Sequence, residues 1–321
     1  MKFRNEGEGS LRMEFALTLL KTIGSLYISL LAGFLLVKLK AVDVKHSRVL
    51  SSLLLYALVP CSVIKAFQVE MTPQTLSNIG LAFLAAVIVQ FGLFFLGMPM
   101  KKLLRLDPVE HTSVIYSNAG NMVIPLVSAV LGEEWVVYTV AYISVQLVFL
   151  WTHCRQCLSG EKGFQWKKVL LNPAIIAICV GLVLFFTGWR LPQVAADGVN
   201  MLSAMIGPVS MLVVGMLLGG MDWKKLFSRP RVWLVAVLRL AVTPLIIVFF
   251  LRFSGLSNLV ADGKSVLYIT LLSTSSPAAS TVTNMSQLYD KDADYAGIIN
   301  IVTTLLCVVS MPLITLLYMS L

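Results

Sequence analysis

Along this chain, apolar runs of about 20 residues, the length that crosses a hydrocarbon core, alternate with short polar joints from Phe15 to Leu321. The pattern predicts ten membrane spans, at 14–37, 47–67, 75–99, 108–131, 135–153, 169–189, 194–221, 231–252, 264–288 and 295–320. Spans four and nine are the weak ones. Their centres, "YSNAGNMVIP" and "STSSPAASTVTN", read as unwound backbone, which membrane proteins tolerate at depth only where it is buried in protein or lines a cavity.

Composition agrees with the pattern. Of 321 residues, 58% are hydrophobic and 13% charged, with a mean hydropathy of +0.85, too little polar surface for a water-soluble fold. The net charge of +9 would suit nucleic acid if it were gathered on one face. Instead the Lys and Arg are spread over the joints, where they report orientation. Sixteen lie after odd-numbered spans (Lys38, Lys40, Lys45, Arg48, Lys101, Lys102, Arg105, Arg155, Lys162, Lys167, Lys168, Lys224, Lys225, Arg229, Arg231 and Lys291), against six on the other side (Lys2, Arg4, Arg12, Arg190, Arg252 and Lys264). The odd-numbered joints are therefore expected in the cytoplasm and both termini outside it. Residues 1–12, ahead of a second methionine at Met13, read as a non-native start or a short disordered tail, and no cleaved signal peptide is expected because no small-residue cleavage site follows the first run.

An internal repeat organises the spans. A shift of 148 residues brings "ISLLAGFLL" (28–36) onto "IAICVGLVL" (176–184) and "LVPCSVI" (58–64) onto "IGPVSML" (206–212). Five spans per copy is an odd number, so the second copy enters the membrane from the opposite side. Such inverted repeats build secondary transporters whose site lies near the midplane, where interrupted helices meet. The expected units are a tail (1–13), a first five-helix repeat (14–153), a cytoplasmic linker (154–168) and a second, inverted repeat (169–321). Spans four and nine are equivalent under this scheme, and both are interrupted.

A break leaves a second half-helix whose first N–H groups and dipole end point at the gap. Two such ends aimed at one point make an anion site without a charged side chain. In span four Asn118 and Asn121 add neutral donors, and Pro125 suits the first turn of the second half-helix. The candidate substrate-binding residues are Asn118, Gly120, Asn121 and Pro125, with Pro277, Ala278, Ser280 and Thr281 from span nine.

The sequence resembles the auxin efflux carrier family of PIN-like transporters and their bacterial relatives, from about Glu14 to the C-terminus. The most specific pieces are "NAGNMVIPLVSAVLG" (118–132), "LNPAIIAICVGLVL" (171–184), "PVSMLVVGMLLG" (208–219), "LRLAVTPLI" (238–246) and "SSPAASTVTNMSQLYDKD" (275–292). The resemblance implies an all-α membrane fold of ten helices in two inverted repeats, related to the bile-acid symporters and Na+/H+ antiporters. Spans one, two, six and seven would form a scaffold, often dimeric. The remaining six would form a moving transport domain in which spans four and nine cross, working by an elevator mechanism on organic anions such as small carboxylates. The chain departs from plant members in its short joint between spans five and six, so regulation through a long cytoplasmic loop is not expected.

The polar residues at depth limit the mechanism. No Asp or Glu falls at mid-span, which disfavours a carboxylate-based Na+ or H+ site, although a sodium site of hydroxyl and carbonyl oxygens within 273–283 stays open. Lys21 and Lys65 lie in outer parts of their spans and can snorkel. Arg239, about nine residues into span eight, either caps half-helix carbonyls in the transport domain or meets substrate, and the structural role is the one expected. Neither an enzyme nor a cofactor is expected, since His46, His111 and His153 sit near cytoplasmic span ends and no buried acid partners a serine. The five cysteines form no disulfide framework, and the CxxC of "HCRQC" (153–157) has no second pair to complete a metal site. The expected partners are a small organic anion, the bilayer and a second copy of the chain; the rival readings are a sodium-coupled organic-anion symporter of the bile-acid type and, behind it, a channel or a transporter-like receptor.

Overall fold

The computed structural model describes residues 8–161, 170–222 and 229–321, with side chains from residue 17 onward. Residues 1–7 of the expected tail, residues 162–168 of the linker 154–168 and Lys224 and Lys225 lie outside the described residues.

Seven helices among the described residues are long and apolar enough to cross a membrane: Leu17–Lys38, Val44–Ala66, Pro73–Leu104, Glu133–Ser159, Gln193–Gly220, Arg231–Phe253 and Ala293–Ser320. They correspond to spans one, two, three, five, seven, eight and ten, and no strand accompanies them among the described residues. Span six is a shorter apolar helix, Pro173–Thr187. Spans four and nine are each divided, into Pro108–Ile115 and Ala119–Val130, and into Gly263–Ser275 and Ser280–Leu288. The chain is a multi-pass membrane protein.

Boundaries follow local chemistry. Thr72 accepts a hydrogen bond from the Thr75 amide at the start of span three, Asn172 from Ala174 at span six and Asp292 from Tyr295 at span ten. Asp107 and Glu110 make a reciprocal capping box at span four. Each supplies an acceptor to a helix N-terminus that would otherwise leave its amides unpaired. Span five runs to Ser159 and stops at Gly160, whose φ of 73° suits glycine, so the linker begins later than 154. The first helix starts at Glu8, inside the expected tail, because Glu, Leu, Arg and Met there are good helix formers.

Spans one and seven pack backbone to backbone. A Cβ at Gly33 would collide with the Leu212 carbonyl, and one at Gly215 with the Leu30 carbonyl. Small residues permit this approach, which is how membrane helices associate when lipid offers no hydrophobic driving force.

Three prolines shape the spans they interrupt. Pro60, Pro125 and Pro244 each follow a π turn by two residues: Leu54–Leu58, Ala119–Val123 and Leu238–Val242. A proline has no N–H and its ring clashes with the carbonyl four residues back, so the helix widens ahead of it. In span four that carbonyl belongs to Asn121, and it accepts instead from the Ser210 hydroxyl of span seven at 3.1 Å.

Candidate functional site

The two breaks lie side by side. The Asn118 amide donates to the Pro277 carbonyl at 2.9 Å and the Ala279 amide to the Tyr116 carbonyl at 3.0 Å, an antiparallel bridge of Ser117 with Ala278. Extended backbone buried in this way must pair somewhere, and here each interrupted span supplies the other's partner.

Four free ends of half-helices meet at this bridge. The first halves end in carbonyls, and Arg239 of span eight takes them. Its guanidinium is fully buried. Nε donates to Ser276 at 3.0 Å, Nη1 to Val114 at 3.0 Å and Ile115 at 3.4 Å, and Nη2 to Thr274 at 2.5 Å and Ser276 at 2.9 Å, all main-chain oxygens. The charge thus faces the negative ends of two helix dipoles, one from each broken span. With its donors on these carbonyls, the side chain has no hydrogen left for a ligand.

The second halves present amides and small polar side chains. Asn121 Nδ2 donates to the Ser280 hydroxyl at 3.2 Å, and that hydroxyl donates to Asn118 Oδ1 at 3.4 Å. The chain Asn121–Ser280–Asn118 joins the N-terminus of Ala119–Val130 to that of Ser280–Leu288. The leading amides of each half have no intrahelical acceptor by geometry.

A cavity of about 130 Å³ opens beside this chain, lined by Asn118, Gly120, Asn121, Ser280 and Thr281 of the sequence candidates. Pro125, Pro277 and Ala278 stay out of it. Pro125 lies inside the second half-helix, which begins at Ala119 rather than at the proline, and it faces span seven: a Cβ on Gly207 would meet Pro125 Cβ at 3.2 Å. Pro277 and Ala278 contribute only backbone to the bridge.

Sequence reading missed the residues that hold the bridge. Gln146 of span five accepts from the Ser117 amide at 3.2 Å and hydroxyl at 2.6 Å, and donates to the Ser117 carbonyl at 2.8 Å. Asn300 of span ten donates to the Ala278 carbonyl at 2.6 Å, and Thr303 accepts from the Ala278 amide at 3.1 Å. Their signal was available as amides and a hydroxyl inside otherwise apolar spans, where a polar side chain needs a stated partner.

The site has one wide approach. A second cavity of about 610 Å³ shares Ser51, Leu55, Leu217, Thr283 and Asn284 with the first and reaches Lys45, Arg48, Asp222 and Asp294. Those four residues lie at the joints after spans one, seven and nine. On the opposite side Lys65 of span two pairs with Glu133, at the start of span five, at 2.9 Å.

Ser275 Oγ is buried without a hydrogen-bond partner among the described residues, while the neighbouring hydroxyls of span nine turn inward on their own helix. Ser273 donates to the Ile269 carbonyl, Thr274 to Thr270 and Leu271, and Ser276 to Ser273.

A family model described as "Membrane transport protein" matches residues 18–163 and 160–315. An uncharacterized transporter of Methanothermobacter thermautotrophicus is 26% identical over 204 residues, a stretch covering 61% of this chain and 63% of that protein. The chain belongs to the membrane transport protein family, that of the auxin efflux carriers.

Proposed function

We propose that the protein is a secondary transporter of small organic anions, carboxylates above all, and that it works by elevator-type alternating access. In this reading the ten spans form two inverted repeats, and spans four and nine cross at the substrate site. Spans one, two, six and seven are a scaffold through which two copies pair, and the other six carry the site across the membrane.

The observation that carries the reading is the meeting of two helix N-termini at a cavity whose lining bears no acidic side chain. Orphan amides, two asparagines and hydroxyls favour negative charge there, while Arg239 neutralises the opposite helix ends. The matched roles of Gln146 on the first break and Asn300 on the second support the repeat. The cavity is comparable to the ~150 Å³ apolar cavity that admits benzene, which suits a ligand of about six heavy atoms.

The wide approach opens to the joints that the charge bias assigns to the cytoplasm, with both termini outside, so the structure corresponds to an inward-facing state. Arg239, which already holds the carbonyls at the ends of both first half-helices, speaks for transport without sodium rather than for the bile-acid type of coupling.

Thermal unfolding of the purified protein across a panel of mono- and dicarboxylates tests the reading. A small carboxylate raises the unfolding temperature, and the same compound drives saturable counterflow in proteoliposomes. Stabilisation by none of the panel, or flux that does not saturate, rejects it.

A further inference from the structure

Away from the crossing, three side chains from two spans converge at the side expected to face the cytoplasm. His111 belongs to the first half of span four, and His153 and Cys157 lie one turn apart near the end of span five. One ligand atom from each falls within 4.8 Å of the other two.

We propose that His111, His153 and Cys157 bind a soft transition-metal ion, Zn²⁺ or Cu⁺. Imidazole and thiolate together are the donor set such ions select.

Hydrogen bonds prepare the ligands. The Tyr116 hydroxyl lies 3.1 Å from the Phe149 carbonyl and 2.8 Å from His153 Nδ1; with its proton assigned to the carbonyl, which can only accept, it accepts from Nδ1. That places the His153 proton on Nδ1 and leaves the Nε2 lone pair facing Cys157 Sγ at 3.3 Å. A metal-bound histidine is commonly held through its other nitrogen in this manner. His111 is 2% exposed, and its Nδ1 has no hydrogen-bond partner among the described residues. A buried imidazole nitrogen without a partner is costly, and a metal ion would remove that cost.

Space and charge are compatible with the ion. Gly97 of span three makes room for the His111 ring, since a Cβ there would lie 3.0 Å from His111 Cε1. Bonds of about 2.0 Å to nitrogen and 2.3 Å to sulfur in a tetrahedron set ligands about 3.5 Å apart. The Cys157–His153 separation already meets this, and a side-chain rotation brings His111 in. The Lys101 ammonium is close enough to act on all three groups. A bound cation therefore needs the negative charge of a Cys157 thiolate, the form in which cysteine ligates. The fourth position stays open to solvent or to a further ligand.

The site would clamp the first half of span four to span five five residues ahead of the break, through Tyr116, the residue where the break begins.

The full-length protein, purified with its tag removed, reduced and freed of metal by a chelator, is titrated with Co²⁺. The expected result is a thiolate-to-cobalt charge-transfer band that saturates at one ion per chain and is abolished by Zn²⁺, which binds more tightly in the usual order of divalent ions. Cys157→Ser removes the band. His111→Gln, on a different span, weakens Co²⁺ binding at least tenfold, and Tyr116→Phe weakens it by about ten- to a hundredfold, as losing a supporting partner does. Thermal unfolding in chelator, equal to that of the parent, shows that each variant is folded. No band in the parent, a band that survives Cys157→Ser, or parental Co²⁺ affinity in folded His111→Gln overturns the proposal.

Discussion

At the scale of single residues, Arg239 and Asn118 make opposite demands on the fold. Arg239 was legible as a cation too deep to reach water, and as a structural charge of the transport domain rather than a substrate ligand. Its five bonds to four carbonyls, from two spans distant in the chain, could not be read from span eight alone. Arg239→Met leaves those carbonyls buried and unpaired at about 1–3 kcal/mol for each one that finds no substitute. The variant should therefore fail to yield monodisperse protein or unfold at a much lower temperature, and Arg239→Lys, with three donors, should recover only part of the loss. Asn118 tolerates change better, because its backbone rather than its side chain makes the bridge to Pro277. Asn118→Ala removes the link to Ser280 and one donor facing the cavity, worth roughly 1.5–3 kcal/mol if it meets a carboxylate. Affinity for the best carboxylate, measured by titration calorimetry, should fall about tenfold or more while the unfolding temperature without ligand stays near that of the parent. Parental affinity in Asn118→Ala would remove its side chain from the site.

At the scale of elements, the interrupted spans were the most legible feature of the sequence and their internal geometry the least. "YSNAGNMVIP" carries two asparagines, a glycine and a proline, and any of them can end a helix. Proline invited the boundary at Pro125. The chain instead opens at Tyr116–Asn118, where Pro277 and Ala279 of a span 160 positions away offer the backbone its partners, a contact no local propensity encodes. Pro125 acts further along, freeing the Asn121 carbonyl for Ser210 of span seven. In Pro125→Ala the restored amide competes for that carbonyl, so the link between spans four and seven weakens while the bridge and the Asn118–Ser280–Asn121 chain persist. Substrate affinity should then stay within a few-fold of the parent and the counterflow rate should change. Ser210→Ala should shift the rate in the same direction. A Pro125→Ala protein that loses binding outright would instead make the proline a support of the site itself. The polar anchors Gln146, Asn300 and Thr303 escaped sequence reading for a related reason: each matters only through the break it faces.

At the scale of the whole molecule, the positive-inside bias and the shape of the cavities bear on one another. In the proposed orientation the joints after odd spans lie in the cytoplasm, and the wide approach ends at Lys45, Arg48, Asp222 and Asp294 on those joints. At the other side Lys65 pairs with Glu133 across two spans. Glu134, exposed beside that pair, should react as Glu134→Cys with an impermeant maleimide added to intact cells, above the background of the native cysteines. Lys45→Cys should react only after the cells are opened, and the reverse pattern would turn the molecule over.

Coupling is also decided at the level of the whole transport cycle, because an ion that drives transport must bind with the substrate and be released with it. Around the two breaks the described interior offers a sodium ion little. Arg239 already occupies the carbonyls of both first half-helices, which elsewhere in broken-helix transporters hold sodium. The hydroxyls of Ser273, Thr274 and Ser276 are bonded to their own helix, and Glu110, the buried carboxylate nearest the crossing in sequence, is held by Arg231 at 2.6 Å and by the Tyr295 hydroxyl at 2.8 Å. A sodium site would have to displace Arg239 from those carbonyls or be built from the lone pairs of hydroxyls such as the unpartnered one of Ser275. Counterflow of the best carboxylate in proteoliposomes should therefore run at the same rate with choline in place of Na⁺ on both sides. Loss of flux in choline, restored by millimolar Na⁺, would mean that carbonyls around Ala278 and Thr281 rearrange to hold the ion when substrate binds.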